Sequence, residues 1–243
     1  MKPAMTAQQQ HLSSSTQSAL GVYRSLVTGE QGIRSFIHFE CLQFFLANLP
    51  GLPGLGLRSY LYRSLFRACG RRPAFGRGMV IRRPGQIEIG DNSLFDDYSA
   101  LDVRGVAGAI KIASHVSIGR FSTLSAKEAS IELADGVNIG SYCRVATQSG
   151  VRIGESVLIA AYAYIGPGNH RAGDSGTPLI AQDMELKGGV EIGPHCWIGA
   201  HSTIMDGVKI GANAIVAAHS FVRDDVPERA VVAGCPARVI KQS

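Results

Sequence analysis

No stretch of this chain reaches the ~18–20 consecutive apolar residues that a membrane-spanning helix needs. Charged residues are also few, 18% of 243. The five cysteines (Cys41, Cys69, Cys143, Cys196 and Cys235) are odd in number, widely scattered and form no C-x-x-C pair. That excludes a disulfide framework and a zinc knuckle, and fits a reducing compartment such as the cytoplasm. The opening segment MKPAMTAQQQHLSSSTQSAL lacks the apolar core of a secretory signal; its Gln and Ser content predicts a disordered tail over residues 1–20.

Acidic residues are missing from one long window. Between Glu40 and Glu88 there is none, while Arg58, Arg63, Arg67, Arg71, Arg72, Arg77, Arg82 and Arg83 all fall there. Residues 1–86 carry a net +9 and residues 87–243 a net −4, so the overall +5 belongs to the N-terminal part. An anionic neighbour is expected for that part alone, and no nucleic-acid partner.

What the chain has in abundance is glycine, at 29 positions, and a six-residue rhythm. Leu186, Ile192, Ile198, Ile204, Ile210, Val216 and Val222 recur at that interval, with small residues such as Cys196, Ser202, Ala214 and Ser220 at a fixed offset. The rhythm also runs through Ile89, Phe95 and Leu101, Ile112, Ile118 and Leu124, Leu133, Ile139 and Val145, and Ile153, Ile159 and Ile165. Aliphatic doublets (Ile87/Ile89, Ile110/Ile112, Ile131/Leu133, Val151/Ile153, Val190/Ile192, Val208/Ile210) mark successive coils at steps of 23, 21, 20, 39 and 18 residues. Neither the 3.6 period of a helix nor the period of 2 of a strand fits. Three short strands per triangular coil do, each sending one aliphatic side chain inward. The step of 39 is one coil plus about twenty inserted residues, and the insertion opens on His170.

The stretch IGPHCWIGAHSTIMDGVKIGANAIVAAHSFVRDDVPERAVVAGCPARVIK resembles the C-terminal half of hexapeptide-repeat acyltransferases. It is most similar to the maltose and galactoside O-acetyltransferase branch and its relatives in surface-polysaccharide synthesis. The resemblance implies an all-β solenoid: a left-handed parallel β-helix over residues 85–226, an α-helical basic extension over 21–84 and a short cap over 227–243. The left hand is an exception to the usual crossover rule and comes from the resemblance alone. Also implied are a homotrimer, an acetyl-CoA donor, a site between subunits and a loop, here 169–187, that carries the catalytic base. His170 falls where the family keeps that histidine.

Imidazole titrates near pH 6.5 and suits a general base that removes a hydroxyl proton. Judged without the resemblance, the simpler reading of His170 is a polar residue of an exposed loop. By family position Ala200 and Ala218 offer backbone contacts to the pantetheine arm, Trp197 lines the groove, and Arg223, Arg238 and Lys241 meet the phosphates. Arg223-Asp224 stands where relatives commonly have Thr-Lys, so the cation is displaced by one residue. On the acceptor side Tyr142 and Gln148 stand where the branch keeps a sugar-binding Asn and Asp, so maltose or galactoside specificity does not carry over. Arg144, Asp96 and Asp97 are further candidates for acceptor contact.

His201 and His219 are eighteen residues apart and occupy one position on adjacent coils. The histidine spacings do not reproduce a three-histidine zinc site, and no metal is expected.

Residues 33–49 and 57–69 place apolar residues at helical spacing around a PGLPGLG break. With the arginines, they suit an anionic membrane surface on the inner face of the plasma membrane, or a cap on the first coil. The expected activity is O-acetylation of a sugar in a surface polysaccharide or lipid-linked precursor. N-acetylation of an amino sugar or small xenobiotic is the alternative within the same chemistry, and a noncatalytic β-helix scaffold the alternative outside it.

Overall fold

The computed structural model describes residues 18–166, 168–170 and 178–242, without the side chains of His170 and Ile180. The first seventeen residues of the expected disordered tail lie outside that set. The body is a left-handed parallel β-helix of about seven turns. Three sheets form the faces of a prism. The first and third have seven strands each, and the second has nine. Strands of neighbouring coils pair in register, so Ile89, Ile112, Leu133, Ile153, Ile192 and Ile210 lie one above the next. All six are buried, and each such aliphatic side chain contributes roughly 1.5–3 kcal/mol of burial.

The third residue after most inward aliphatics turns a corner in the left-handed region. Asn92, Tyr98, His115, Phe121, Tyr142, Tyr162, His195, His201, Asn213 and His219 hold φ between 54° and 64°. For a side chain that conformation costs about 1–2 kcal/mol. At the edge between the second and third faces the cost is offset by stacking. The rings of Tyr98, Phe121, Tyr142, Tyr162, His201 and His219 lie in one column, with centroids 4.7–5.2 Å apart. That spacing matches the distance between hydrogen-bonded strands, so coil stacking and ring stacking reinforce each other. At the same edge a Cβ on Gly199 would lie 2.4 Å from the amide nitrogen of Ala218, which is why glycine stands there.

The β-helix starts earlier than expected. Ala68–Cys69, Ala74–Phe75 and Val80–Arg82 form a first coil that pairs with Glu88–Ile89, Leu94–Phe95 and Ala100–Asp102. The rhythm is present there in Phe75 and Ile81, but the surrounding arginines obscure it. At the other end of the insertion, Leu186 is not a rung: it is 52% exposed, and inward packing resumes at Val190 and Ile192.

Helices close the N-terminal end: α1 (Ala19–Val27), α2 (Ile33–Leu46) and α3 (Gly51–Leu61). The PGLPGLG segment does not break the chain as expected but begins α3. Pro53 lies in the first helical turn, where backbone N–H groups have no intrahelical partner to lose. Arg58 is buried and donates to the carbonyls of Phe75, Leu46 and Leu49 at 2.7–3.0 Å. It therefore clips the end of α2 to the first coil. Tyr62, Phe66, Phe75 and Phe95 fill the end of the prism with ring contacts of 5.3–5.8 Å. Burial pushes the Tyr62 phenol up to about 12. At the far end Ala237–Gln242 folds back antiparallel on Ala230–Gly234 and ends the second face.

Candidate active site

The coils are unequal in length, and the surplus falls in one place. Each residue beyond three hexads is inserted between the third face and the first. After Leu101 and Leu124 this lengthens the third-face strands to five residues, Ala100–Arg104 and Thr123–Lys127. After Ile165 it produces the long loop. All the departures from the repeat thus share one edge of the prism.

At that edge the loop leaves and returns as an antiparallel pair, with Asn169 opposite Glu185 and His170 opposite Met184. Its return is latched by Asp206, which is only 6% exposed. The Asp206 carboxylate accepts from the backbone N–H of Lys187 (2.6 Å), the N–H of Gly189 (2.9 Å) and the Ser149 hydroxyl (3.0 Å). Thr147 Oγ1 accepts from the N–H groups of Ser149 and Gly150 at 3.0 and 2.7 Å. The returning limb of the loop, whose strand Met184–Glu185 pairs with Asn169–His170, is therefore anchored at its base by charge-assisted hydrogen bonds to Asp206.

Beside this base is a polar cavity of about 280 Å³. Arg104, Lys127, Arg144, Gln148, Met184 and Leu186 are among its walls. Behind it Asp102, 7% exposed, takes the Arg104 guanidinium on Oδ2 at 2.7 Å (Nη2) and 2.9 Å (Nε). Its Oδ1 lies 3.7 Å from Arg82 Nη1 and accepts no hydrogen bond from the described residues. Two expected acceptor residues, Arg144 and Gln148, thus meet here. Tyr142 does not: its ring is sandwiched in the aromatic column at the second–third edge. Asp96 pairs with Arg120 at 3.4 Å, and Asp97 accepts the Arg77 N–H at 2.7 Å, so both hold coil corners away from the cavity.

The expected donor residues lie elsewhere. Trp197 is half-exposed on the second face, and Ala200 and Ala218 stand at the second–third edge beside His201 and His219. His219 donates its backbone N–H to the Ala200 carbonyl at 2.8 Å. At the C-terminal end Asp224 lies between Arg238 (3.1 Å) and Arg223 (3.8 Å), and Lys241 is exposed on the last strand. Ala200 and Ala218 thus occupy a different edge from the histidine loop, whereas Arg223 lies at the loop's own edge, beyond the third-face strand Phe221–Val222.

Cysteine gives no buried nucleophile. Burial pushes the Cys69 thiol up to about 11 and raises Cys143 and Cys196 as well, disfavouring the thiolate. Among the described residues no three His, Cys, Asp or Glu side chains converge to hold a metal. A larger groove of about 1040 Å³ runs along the first face. Its outward charges alternate and pair with one another, as in Lys111–Glu132 (3.2 Å) and Arg152–Glu191 (2.6 Å), which leaves little unmet charge to attract a ligand.

Sequence reading missed Asp102, Arg104, Lys127 and Asp206. The uneven coil steps were the available signal, because surplus residues at one edge are where a repeat stops serving its own stacking.

The repeat itself is that of a known class: residues 189–224 match the bacterial transferase hexapeptide (six repeats) family. The chain is 34% identical over 132 residues to a Mycobacterium tuberculosis protein named provisionally as an acetyltransferase, covering 54% of this chain and 44% of that one. It is 35% identical over 118 residues to WbbJ of Escherichia coli, named provisionally as a lipopolysaccharide biosynthesis O-acetyl transferase, covering 46% and 60%. It thus spans about half the length of these curated relatives. Among solved structures, a mutant of the Bacillus cereus N-acyltransferase AntD, with dTDP-4-amino-4,6-dideoxyglucose and coenzyme A, is similar at TM-score 0.52 and 26% identity. That match covers 75% of this chain and 87% of AntD.

Proposed function

We propose that this chain is an acyltransferase that moves an acetyl group from acetyl-CoA to a sugar hydroxyl of a surface glycan or its precursor. One observation carries the reading: every surplus residue of the solenoid collects at one edge, where it closes a polar cavity at the base of the strand bearing His170. A scaffold gains nothing from such a concentration, whereas a reaction needs positioned groups. The names of the relatives support the acyl-transfer class.

In the reaction His170 takes the proton of the acceptor hydroxyl while its oxygen attacks the thioester carbonyl. The C–O bond forms, the C–S bond breaks, and the proton passes to the departing CoA thiolate. A backbone N–H at a coil corner serves the oxyanion. Because the loop lies on one edge of the prism and Ala200 and Ala218 on another, a complete site takes its pantetheine-binding part from a neighbouring copy. A homotrimer meets that requirement.

The N-terminal helices present a second surface. Outside the buried stripe of Phe36, Phe39 and Leu46, α2 exposes Ile33, Ile37, Phe44 and Phe45. Phe44, Leu52 and Tyr60 are 83%, 81% and 76% exposed, and the rings of Phe44 and Phe45 meet edge to face at 5.0 Å, a large apolar exposure for two short helices. Exposed Arg63, Arg67 and Arg71 follow directly in the chain. Arg67 and Arg71 are paired with Glu88 (3.3 Å) and Asp91 (3.7 Å), and exposed apolar rings followed by this run of exposed arginines, Arg72 included, fit an anionic lipid surface. The paired change Phe44→Asp and Phe45→Asp should abolish flotation with phosphatidylglycerol vesicles; unchanged flotation, or equal flotation with neutral vesicles, refutes the role.

Acyl transfer is tested by thiol release from acetyl-CoA with a panel of sugar acceptors. Release with an acceptor, lost in His170→Ala, is the expected result. Full activity of that variant would overturn the base assignment.

A further inference from the structure

We infer that the cavity at the loop base binds a negatively charged group of the acceptor, a carboxylate or a phosphate. The inference rests on the acyl-transfer reading for its chemistry but not for the binding itself. Arg104, Lys127 and Arg144 line the cavity, and among the described residues no Asp or Glu does. Asp183 and Glu185 alternate along the returning strand with the lining residues Met184 and Leu186, which sends their side chains the other way. Lys127 and Arg144 form no ion pair among the described residues, and both are exposed to an incoming ligand. Arg104 is different. Its guanidinium is fixed against Asp102, whose buried carboxylate also faces Arg82. Two carboxylates, Asp102 and the Asp206 that holds the lining Ser149, against four cations leave a net positive site with a preorganised planar donor at its wall.

Such a fork fits carboxylate and phosphate oxygens bidentately, and Lys127 adds a point charge. Gln148, also in the wall, can satisfy a neighbouring hydroxyl in either direction. Asp102 is a positioning residue: it orients Arg104 and does not itself meet the ligand. A neutral sugar would leave the cations hydrated and gain little from them. An acidic sugar, a sugar phosphate or a sugar linked through a diphosphate would bring its charge to the strand carrying His170.

The test uses the purified full chain, acetyl-CoA and four acceptor arms: methyl glucoside, glucuronate, glucose 1-phosphate and UDP-glucose. At least one anionic arm should turn over with a KM about tenfold or more below the neutral arm. Combining Lys127→Gln with Arg144→Gln should raise that KM about 100-fold with kcat little changed. Asp102→Asn should raise KM more than it lowers kcat, whereas a merely destabilised fold would lower both. Lys111→Gln, the same loss of charge on the first face, should change nothing. Glucuronate against the phosphorylated arms tells which anion is taken. A neutral sugar used as well as the anions, or an unmoved KM in the double variant, overturns the inference. Thiol release with no arm at all would count against acyl transfer, and anion binding then decides alone. Protection against thermal unfolding by glucuronate, phosphate or pyrophosphate should persist in His170→Ala and vanish in the double variant. No protection by any of them, or equal protection of both variants, refutes it.

Discussion

Two edges of the same prism are built to opposite rules. The second–third edge accepts no inserted residue, and its six stacked rings demand that every coil arrive at the same height. The third–first edge absorbs every surplus residue and supplies the cavity, the Asp206 latch and the loop. The comparison teaches that a repeat can hold register at one corner and thereby free another for chemistry. Stability is concentrated where the sequence is periodic, and the proposed function where it is not.

The comparison can be broken most sharply at the loop. His170→Ala should lower kcat about 10²–10⁴-fold, the range of general-base contributions, with little change in melting temperature. Asp206→Ala removes a buried acceptor from two N–H groups and a hydroxyl, and should cost about 3 kcal/mol by chemical denaturation. The same variant should lose activity before it unfolds, because the latch releases the strand bearing His170. Tyr142→Ala tests the other edge. It removes two ring contacts and should cost about 1–2 kcal/mol, with acceptor KM unchanged. A raised KM in that variant would restore Tyr142 to the acceptor site. The smallest effect is in thiol reactivity. At pH 8 iodoacetamide should label exposed Cys41 and Cys235 well before Cys69, whose thiol is held near 11 by burial. As pH rises toward that value, the Cys69 thiolate fraction and its labelling rate should rise.

Much of the fold was legible because each inward aliphatic repeats at a spacing with one geometric meaning. His201 and His219 could be placed on one line from an eighteen-residue gap, and their rings do stack, 4.7 Å apart. The same arithmetic applied to Tyr98, Phe121, Tyr142 and Tyr162 would have shown the column and kept Tyr142 out of the acceptor list. The first coil was hidden because Phe75 and Ile81 sit among arginines, and α3 because Pro and Gly read as a break when they open a helix. The cavity was legible only in its lengths. Asp102 and Arg104 look like any polar pair in ALDVRG until the five-residue strand turns them toward Lys127. Asp206 was invisible because its partners, at positions 149, 187 and 189, are up to 57 residues away in sequence.

The antiparallel return of Ala237–Gln242 and the helices at the opposite end have a consequence for solution behaviour. Parallel coils could otherwise recruit further chains end to end, each terminal strand templating the next as in a fibril. Reversing direction in the final strand, with Arg238 and Lys241 on it, makes a poor template, and the helices occupy the other terminus. On the second face the stack therefore ends in a strand that a further parallel coil cannot extend in the same sense.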